Sequence, residues 1–132
     1  MKITNKEPQD CWITFNYSKF QTRFTDVLNT CTYTQNVEVL SKSESVDILF
    51  EERMIELAKD IVTNPVFNSS MSIADFMKDE IINRYAKIYG TNWLVVVGFG
   101  HYYDLSYHVK NSKRKFIDFQ INELRFCVFQ SS

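Results

Sequence analysis

Hydrophobic positions along the chain change period near residue 90. From about Val46 to Val62, Ile48, Leu49, Met54, Ile55, Leu57, Ala58, Ile61 and Val62 recur at spacings of three and four, opposite Glu51, Glu52, Glu56 and Lys59. That spacing predicts an amphipathic helix, closed by Thr63-Asn64-Pro65 because the residue before a proline is pushed out of helical geometry. A second helix is predicted from near Ser72 to Tyr89, buried through Ile73, Met77, Ile81, Tyr85 and Ile88 and stopped by Gly90. Val37 to Leu40 forms a short strand ahead of the helices. Beyond Gly90, Trp93 to Val97 is apolar on both faces, as in a central strand, and Tyr103, Leu105, Tyr107 and Val109 alternate with polar residues. Phe116 to Ile121 and Leu124 to Phe129 flank Asn122-Glu123, a two-residue hairpin link. The order strand, helix, helix, four strands predicts an α+β domain with two helices on one face of an antiparallel sheet.

Residues 1 to 36 follow a different pattern. Trp12 to Tyr17 partly alternates like a strand, whereas Phe20, Phe24, Val27 and Leu28 fit a helical stripe after a cap at Ser18. Both descriptions fit. The density of aromatics argues against disorder, because burying them offsets much of the ordering entropy.

Length bounds the answer to one packed core with an appendage: the chain has 132 residues, 45% of them hydrophobic. The net charge of -1 argues against binding driven by nucleic-acid phosphates or anionic lipid, so neither nucleic acid nor membrane is expected as a partner. Cys11, Cys31 and Cys127 lack metal-ligand spacing and no basic-then-apolar leader precedes them, which points to free thiols in a reducing cytosol. The longest apolar run, Trp93 to Val97, is too short to cross a bilayer.

Candidate chemistry is sparse. Gly98-Phe99-Gly100 lacks the third glycine, the Gly-Lys-Ser/Thr and the following helix of a phosphate loop; a bend or bulge between strands explains it better. His101 and His108 have only Asp104 nearby as a further ligand type, so no metal or other cofactor is expected. A thiol enzyme built on Cys127 and a histidine competes with a buried inert thiol in a strand, which is the commoner case. Asp118 and Glu123 are hairpin residues without an acid-base partner. The basic run Lys110 to Lys115 is a charged turn, or a contact for an acidic surface such as a tubulin tail.

The stretches INRYAKIYGTNWLVVVG and KFIDFQINELRFCVFQSS resemble the hub type of dynein light chain. That family carries a helix ending in tyrosine, a short turn, a tryptophan, an apolar strand and a glycine, then a Phe-Ile-x-Phe hairpin and a Phe-x-Ser tail. Here Tyr89, Trp93, Val95 to Gly98, Phe116, Ile117, Phe119, Phe129 and Ser131 occupy those places. The resemblance covers about residues 37 to 132 and leaves 1 to 36 as an N-terminal arm. It implies a non-catalytic dimer, homotypic or with another light chain of the family. A strand from each subunit, about Tyr102 to Val109, completes the partner's sheet, and Gly98 and Gly100 let the chain leave its own. The implied client is a dynein intermediate chain, bound as an added strand. The implied groove comprises Asp104, Leu105, Ser106, Tyr107, His108, Phe116, Asp118, Gln120 and Asp75. The implied dimer interface comprises Tyr103, Leu105, Tyr107, Trp93, Val95 and Cys127.

Departures from the family pattern are informative. Alternate positions of the last hairpin, apolar in the family, are Phe116, Asp118, Gln120, Arg125, Cys127 and Phe129, and burying Asp118 or Arg125 without partners is costly. A dedicated partner with complementary polar groups is expected. Ala74 and Asp75 stand where the family reads a client glutamine, and Leu94 replaces a histidine that makes the family dimer sensitive to protonation. Insertions around Pro65 to Ser70 and Lys110 to Arg114, with the arm, suggest an axonemal specialist in a ciliated cell over a general cytoplasmic hub. Thr34-Gln35 matches a pair central to client segments, so the arm either competes for a groove or simply leads into the first strand.

Overall fold

The computed structural model describes residues 17–99 and 113–131. Among them three helices, α1 (Tyr17–Thr30), α2 (Ile48–Val62) and α3 (Ser70–Tyr89), accompany four strands, β1 (Val37–Lys42), β2 (Trp93–Phe99), β3 (Phe116–Ile121) and β4 (Leu124–Gln130). The fold is the expected α+β arrangement, with one helix more than the two predicted. The helical pattern in the arm prevails from Tyr17 onward, and Ser18 lies inside α1 instead of capping it. Trp12 to Asn16 and the alternating segment Tyr103 to Val109 lie outside the described residues.

Helix boundaries follow from caps. The Asp47 carboxylate accepts the Phe50 N–H at 2.8 Å and starts α2; the Ser69 hydroxyl accepts the Ser72 N–H at 3.1 Å and starts α3. α3 stops at Gly90, whose φ of +85° suits a residue without a side chain. The Gly90 carbonyl then accepts the Trp93 indole N–H at 3.0 Å, which turns the chain directly into β2.

The sheet has the order β1-β3-β4-β2, and every neighbouring pair is antiparallel. Register divides it into two faces. Ile117, Phe119 and Ile121 of β3, Leu124, Phe126 and Val128 of β4, and Trp93, Val97 and Phe99 of β2 join the helices in one core. Phe24, Val27 and Cys31 from the α1 region are buried in that same core with Phe50 and Met54 of α2 and Met77 of α3. Removing one phenylalanine side chain such as Phe24 from water stabilises the fold by roughly 2–3 kcal/mol, so the arm's helix is held by the same force as the sheet.

The hairpin link secures the arm to this core. Asn122 adopts φ +55°, a left-handed conformation that asparagine tolerates better than most residues. Its N–H donates to the Asn36 carbonyl at 2.8 Å, and its Oδ1 accepts the Asn36 N–H at 2.9 Å. Its Nδ2 donates to the Thr30 hydroxyl at 3.1 Å and the Thr34 carbonyl at 3.0 Å, and contacts the Cys31 sulfur at 3.4 Å. One side chain thus joins the end of α1, the start of β1 and the tip of the β3–β4 hairpin. Asn122→Ala is expected to lose about 2–3 kcal/mol in urea unfolding, from hydrogen bonds worth about 1 kcal/mol each and a backbone conformation alanine resists. Asn122→Gly should recover the backbone share alone. An Asn122→Ala chain with the wild-type urea midpoint would mean that apolar contacts suffice to hold the arm.

Candidate functional site

β2 forms one margin of the sheet, and β4 is its neighbour among the described residues. The strand is anchored from the helix side. Trp93 is buried and stacks on Phe50 with ring centroids 5.7 Å apart, while Tyr89 meets Phe50 edge-on at 4.9 Å. The opposite margin, β1, is less regular: its pairing with β3 shifts between Val39 and Ser41. Such a bulge disfavours regular addition of a further strand. β2 pairs with β4 without interruption from Trp93 to Phe99, so it is the regular margin.

Behind this margin lies the second face of the sheet. Cross-strand register places Leu94, Phe129 and Phe116 in one row, Val96, Cys127 and Asp118 in the next, and Gly98, Arg125 and Gln120 in a third. Asp118 is only 3% exposed. Its charge is met by Arg125, diagonally across the hairpin: Nε donates to Oδ1 at 2.9 Å and the second guanidinium nitrogen to Oδ2 at 2.5 Å. This is a two-point, charge-assisted pair. Gln120 donates its amide to the Asn122 carbonyl at 2.9 Å.

Cys127 faces Asp118 across the hairpin and is fully buried. Burial first, and the Asp118 charge second, push its thiol up to about 12, against a partial lowering by Arg125. A nucleophilic thiol needs the opposite shift, so the described surroundings of Cys127 do not activate it. Cys31 is likewise raised by burial.

The expected site residues are distributed unevenly. Phe116, Asp118, Gln120 and Cys127 share the second face, Phe116 and Asp118 being buried and Gln120 half-buried. Trp93 and Val95 instead point to the helix side, Trp93 within the core and Val95 packed against it. Asp75 is exposed on α3, the helix packed against β2 from that same side. Tyr103, Asp104, Leu105, Ser106, Tyr107 and His108 lie outside the described residues, as does His101. Of the stretch Gly98-Phe99-Gly100, where a bend was expected, Gly98 and Phe99 continue β2, paired with Arg125 and Leu124. Gly100 lies outside the described residues.

Two basic residues shape the far end of the margin, in contacts that the sequence did not reveal. Lys115, the last residue of the basic run, donates to the Ser45 carbonyl at 2.6 Å and lies 5.4 Å from the Phe50 ring centroid and 5.8 Å from that of Tyr89. Arg53 donates to the Tyr89 hydroxyl at 2.8 Å and sits 5.1 Å from the Tyr85 ring centroid. Arginine and lysine over aromatic faces tie the start of β3 to α2 and α3. Thr34 and Gln35 occupy the turn between α1 and β1. The Thr34 N–H donates to the Thr30 carbonyl at 3.3 Å, and the Gln35 amide bonds the Cys31 carbonyl. They lead into the first strand, with the Thr34 backbone and the Gln35 amide bonded within that turn.

Two outcomes follow from the Asp118 row. Asp118→Ala leaves Arg125 without its carboxylate and is expected to cost about 3–5 kcal/mol in chemical unfolding, whereas a double replacement by apolar residues of similar volume stays near wild type. Equal losses for the single and double variants would show the pair to be energetically separable. The Cys127 thiol is raised above its ordinary 9.0 to about 12. Its contribution to stability is therefore complete below pH 9, where the thiol stays protonated in both states, and is lost as pH rises toward 12. Replacing Cys127 with serine should flatten that part of the pH–stability curve; an unchanged alkaline slope would contradict the assignment.

A family model described as dynein light chain type 1 matches residues 38–131. Two solved structures, both of the dynein light chain-like domain of the Fasciola hepatica calcium binding protein FhCaBP2, are similar to this chain. The native form is 17% identical at a TM-score of 0.60 and covers 76% of this chain and 96% of that one. The mercury derivative is 18% identical at 0.57, with 75% and 95% covered. At these identities the likeness concerns the fold. Among curated proteins none matches. The matched span begins after α1 and includes both later helices, the whole hairpin and the β2 margin; the chain belongs to the dynein light chain type 1 family.

Proposed function

We propose that this chain is a non-catalytic light chain of a dynein motor complex that dimerises and holds intermediate chains together by strand addition. The regular margin of β2 carries the proposal. β2 and β3 are both antiparallel to β4 and therefore parallel to each other. The segment from Phe99 to Phe116 therefore joins two parallel strands, and a connection of this kind takes about a dozen residues or more. The alternating Tyr103, Leu105, Tyr107 and Val109 fall in that segment. Their pattern suits a strand paired on β2, and pairing on the β2 of a second subunit gives the exchanged strand of the family.

In this reading Asp104 to His108 receive the client backbone, with Phe116, Asp118, Gln120 and Asp75 nearby, and Tyr103, Leu105, Tyr107 and Cys127 meet the second subunit. Trp93 and Val95 act from beneath by holding β2 on the helices. Residues 37–132 form the light chain domain and 1–36 its arm. Two linked sites hold two client chains in parallel by effective concentration. Among the described residues no helix is long and apolar enough to cross a membrane. Placement on the cytoskeleton of the cytoplasm, and in the axoneme of a cilium, follows from the proposed role.

A second reading keeps the fold and changes the assembly: a dimerisation hub in a non-motor axonemal or cytoplasmic scaffold. The same fold occurs in a protein named for calcium binding. Co-sedimentation with dynein heavy chain separates the two. The primary test is native mass by light scattering, for the chain alone and mixed with a typical family member, followed by titration with an intermediate-chain segment. A mass near twice 15.6 kDa, or a mixed dimer, with segment binding is expected. A 15.6 kDa monomer under both conditions, indifferent to the segment, would falsify the proposal.

A further inference from the structure

α1 lies outside the span that matches the family, yet it reaches the end of the one strand on which the proposed function depends. Phe24 and Phe99 are both fully buried, and their rings meet edge-on with centroids 6.0 Å apart. The Arg23 guanidinium lies over the same Phe99 ring, 5.4 Å from its centroid, and pairs with Glu123 of the hairpin link. The helix is itself fixed elsewhere: Gln21 donates to the Asn68 carbonyl in the α2–α3 loop at 2.8 Å, and Asn122 holds the helix end. Phe99 is the last described residue of β2 and pairs with Leu124, the first residue of β4 and next to Glu123.

We infer that α1 is a positioning element for the β2 margin: through Phe24 and Arg23 it fixes Phe99 and so sets how well that margin accepts an added strand. The inference rests on the reading of β2 as the docking margin. Strand addition is backbone recognition at a fixed residue spacing, so each frayed terminal residue removes a pairing position. A marginal strand is supported by ladder bonds on fewer sides than an interior one, and its ends open first unless side chains hold them. Here an aromatic edge and a guanidinium hold the end. The arm acts with the docking margin, and the sign is opposite to that of the competing arm considered from Thr34-Gln35, whose groups are engaged in the turn before β1.

The test uses the full chain and three proteins: wild type, Arg23→Ala and Glu123→Gln. Glu123→Gln weakens the ion pair at the exposed link but leaves the ring contact. Amide hydrogen exchange is followed at Gly98 and Phe99, with Phe119 and Phe126 as internal references, and self-association is followed by sedimentation. Arg23→Ala is expected to speed exchange at Gly98 and Phe99 about fivefold and to weaken self-association by a similar factor, with the references unmoved and Glu123→Gln near wild type. The inference is overturned by unchanged exchange at Gly98 and Phe99. It is equally overturned by acceleration spread evenly over all strands, which marks a purely structural contact, or by tighter self-association. A wild type that does not self-associate counts against strand exchange itself, while the exchange comparison still decides whether α1 positions β2.

Discussion

A two-residue link between β3 and β4 leaves little freedom in how those strands pair. Ile121 faces Leu124, Phe119 faces Phe126, Asp118 faces Cys127 and Phe116 faces Phe129. Because side chains alternate faces with a period of two, a one-residue slip of β4 against β3 would turn Leu124, Phe126 and Val128 away from the helices and drive Arg125 and Cys127 toward the apolar core. The hydrophobic cost of that slip falls on three large residues at once, so register is strongly fixed. β1 and β2 then attach on either side, and the identity of each face of the sheet descends from this one hairpin.

Asn122 supplies the link with its left-handed backbone and also grips the arm, which makes the hairpin turn the meeting point of two parts of the chain. The arm would otherwise be a helix of fourteen residues, a length at which isolated helices are marginal in water. Its stability comes from burying Phe24, Val27 and Cys31 beneath the sheet and from the Asn122 contacts. The family match starts at residue 38, so the arm adds to a family core a helix that shares its interior.

Much of this was legible in the sequence. The two long helices, the hairpin and its link are set by periodicity, a proline, a glycine and two polar residues, and the family resemblance rested on the same positions. The rest was not legible for physical reasons. Trp93 to Val97 is apolar without interruption, so alternation cannot say which side chains face the helices; only the core they join reveals that Trp93 and Val95 do. Gly98 signalled a bend because glycine commonly marks one, but a paired strand tolerates it when its neighbour runs on. In the arm, crowded aromatics gave two periods at once. The Asp118–Arg125 pair was within reach: with Ile121 opposite Leu124, counting back places Arg125 diagonally across from Asp118.

That ion pair bears on what the second face can do. A buried pair of charges contributes little net stability compared with an apolar pair of the same volume, since desolvation cancels much of the attraction, but it restricts what can pack against it. In a twofold symmetric contact each residue patch meets its own copy. Asp118 is nearly dry and Arg125 partly buried, and the two already satisfy each other within one hairpin, so a symmetric copy packed at that row would add desolvation without a new charge partner. A partner bearing its own polar groups at that row meets a smaller penalty. The same two residues that stabilise the hairpin register therefore restrict what can pack on that face while adding little net stability of their own.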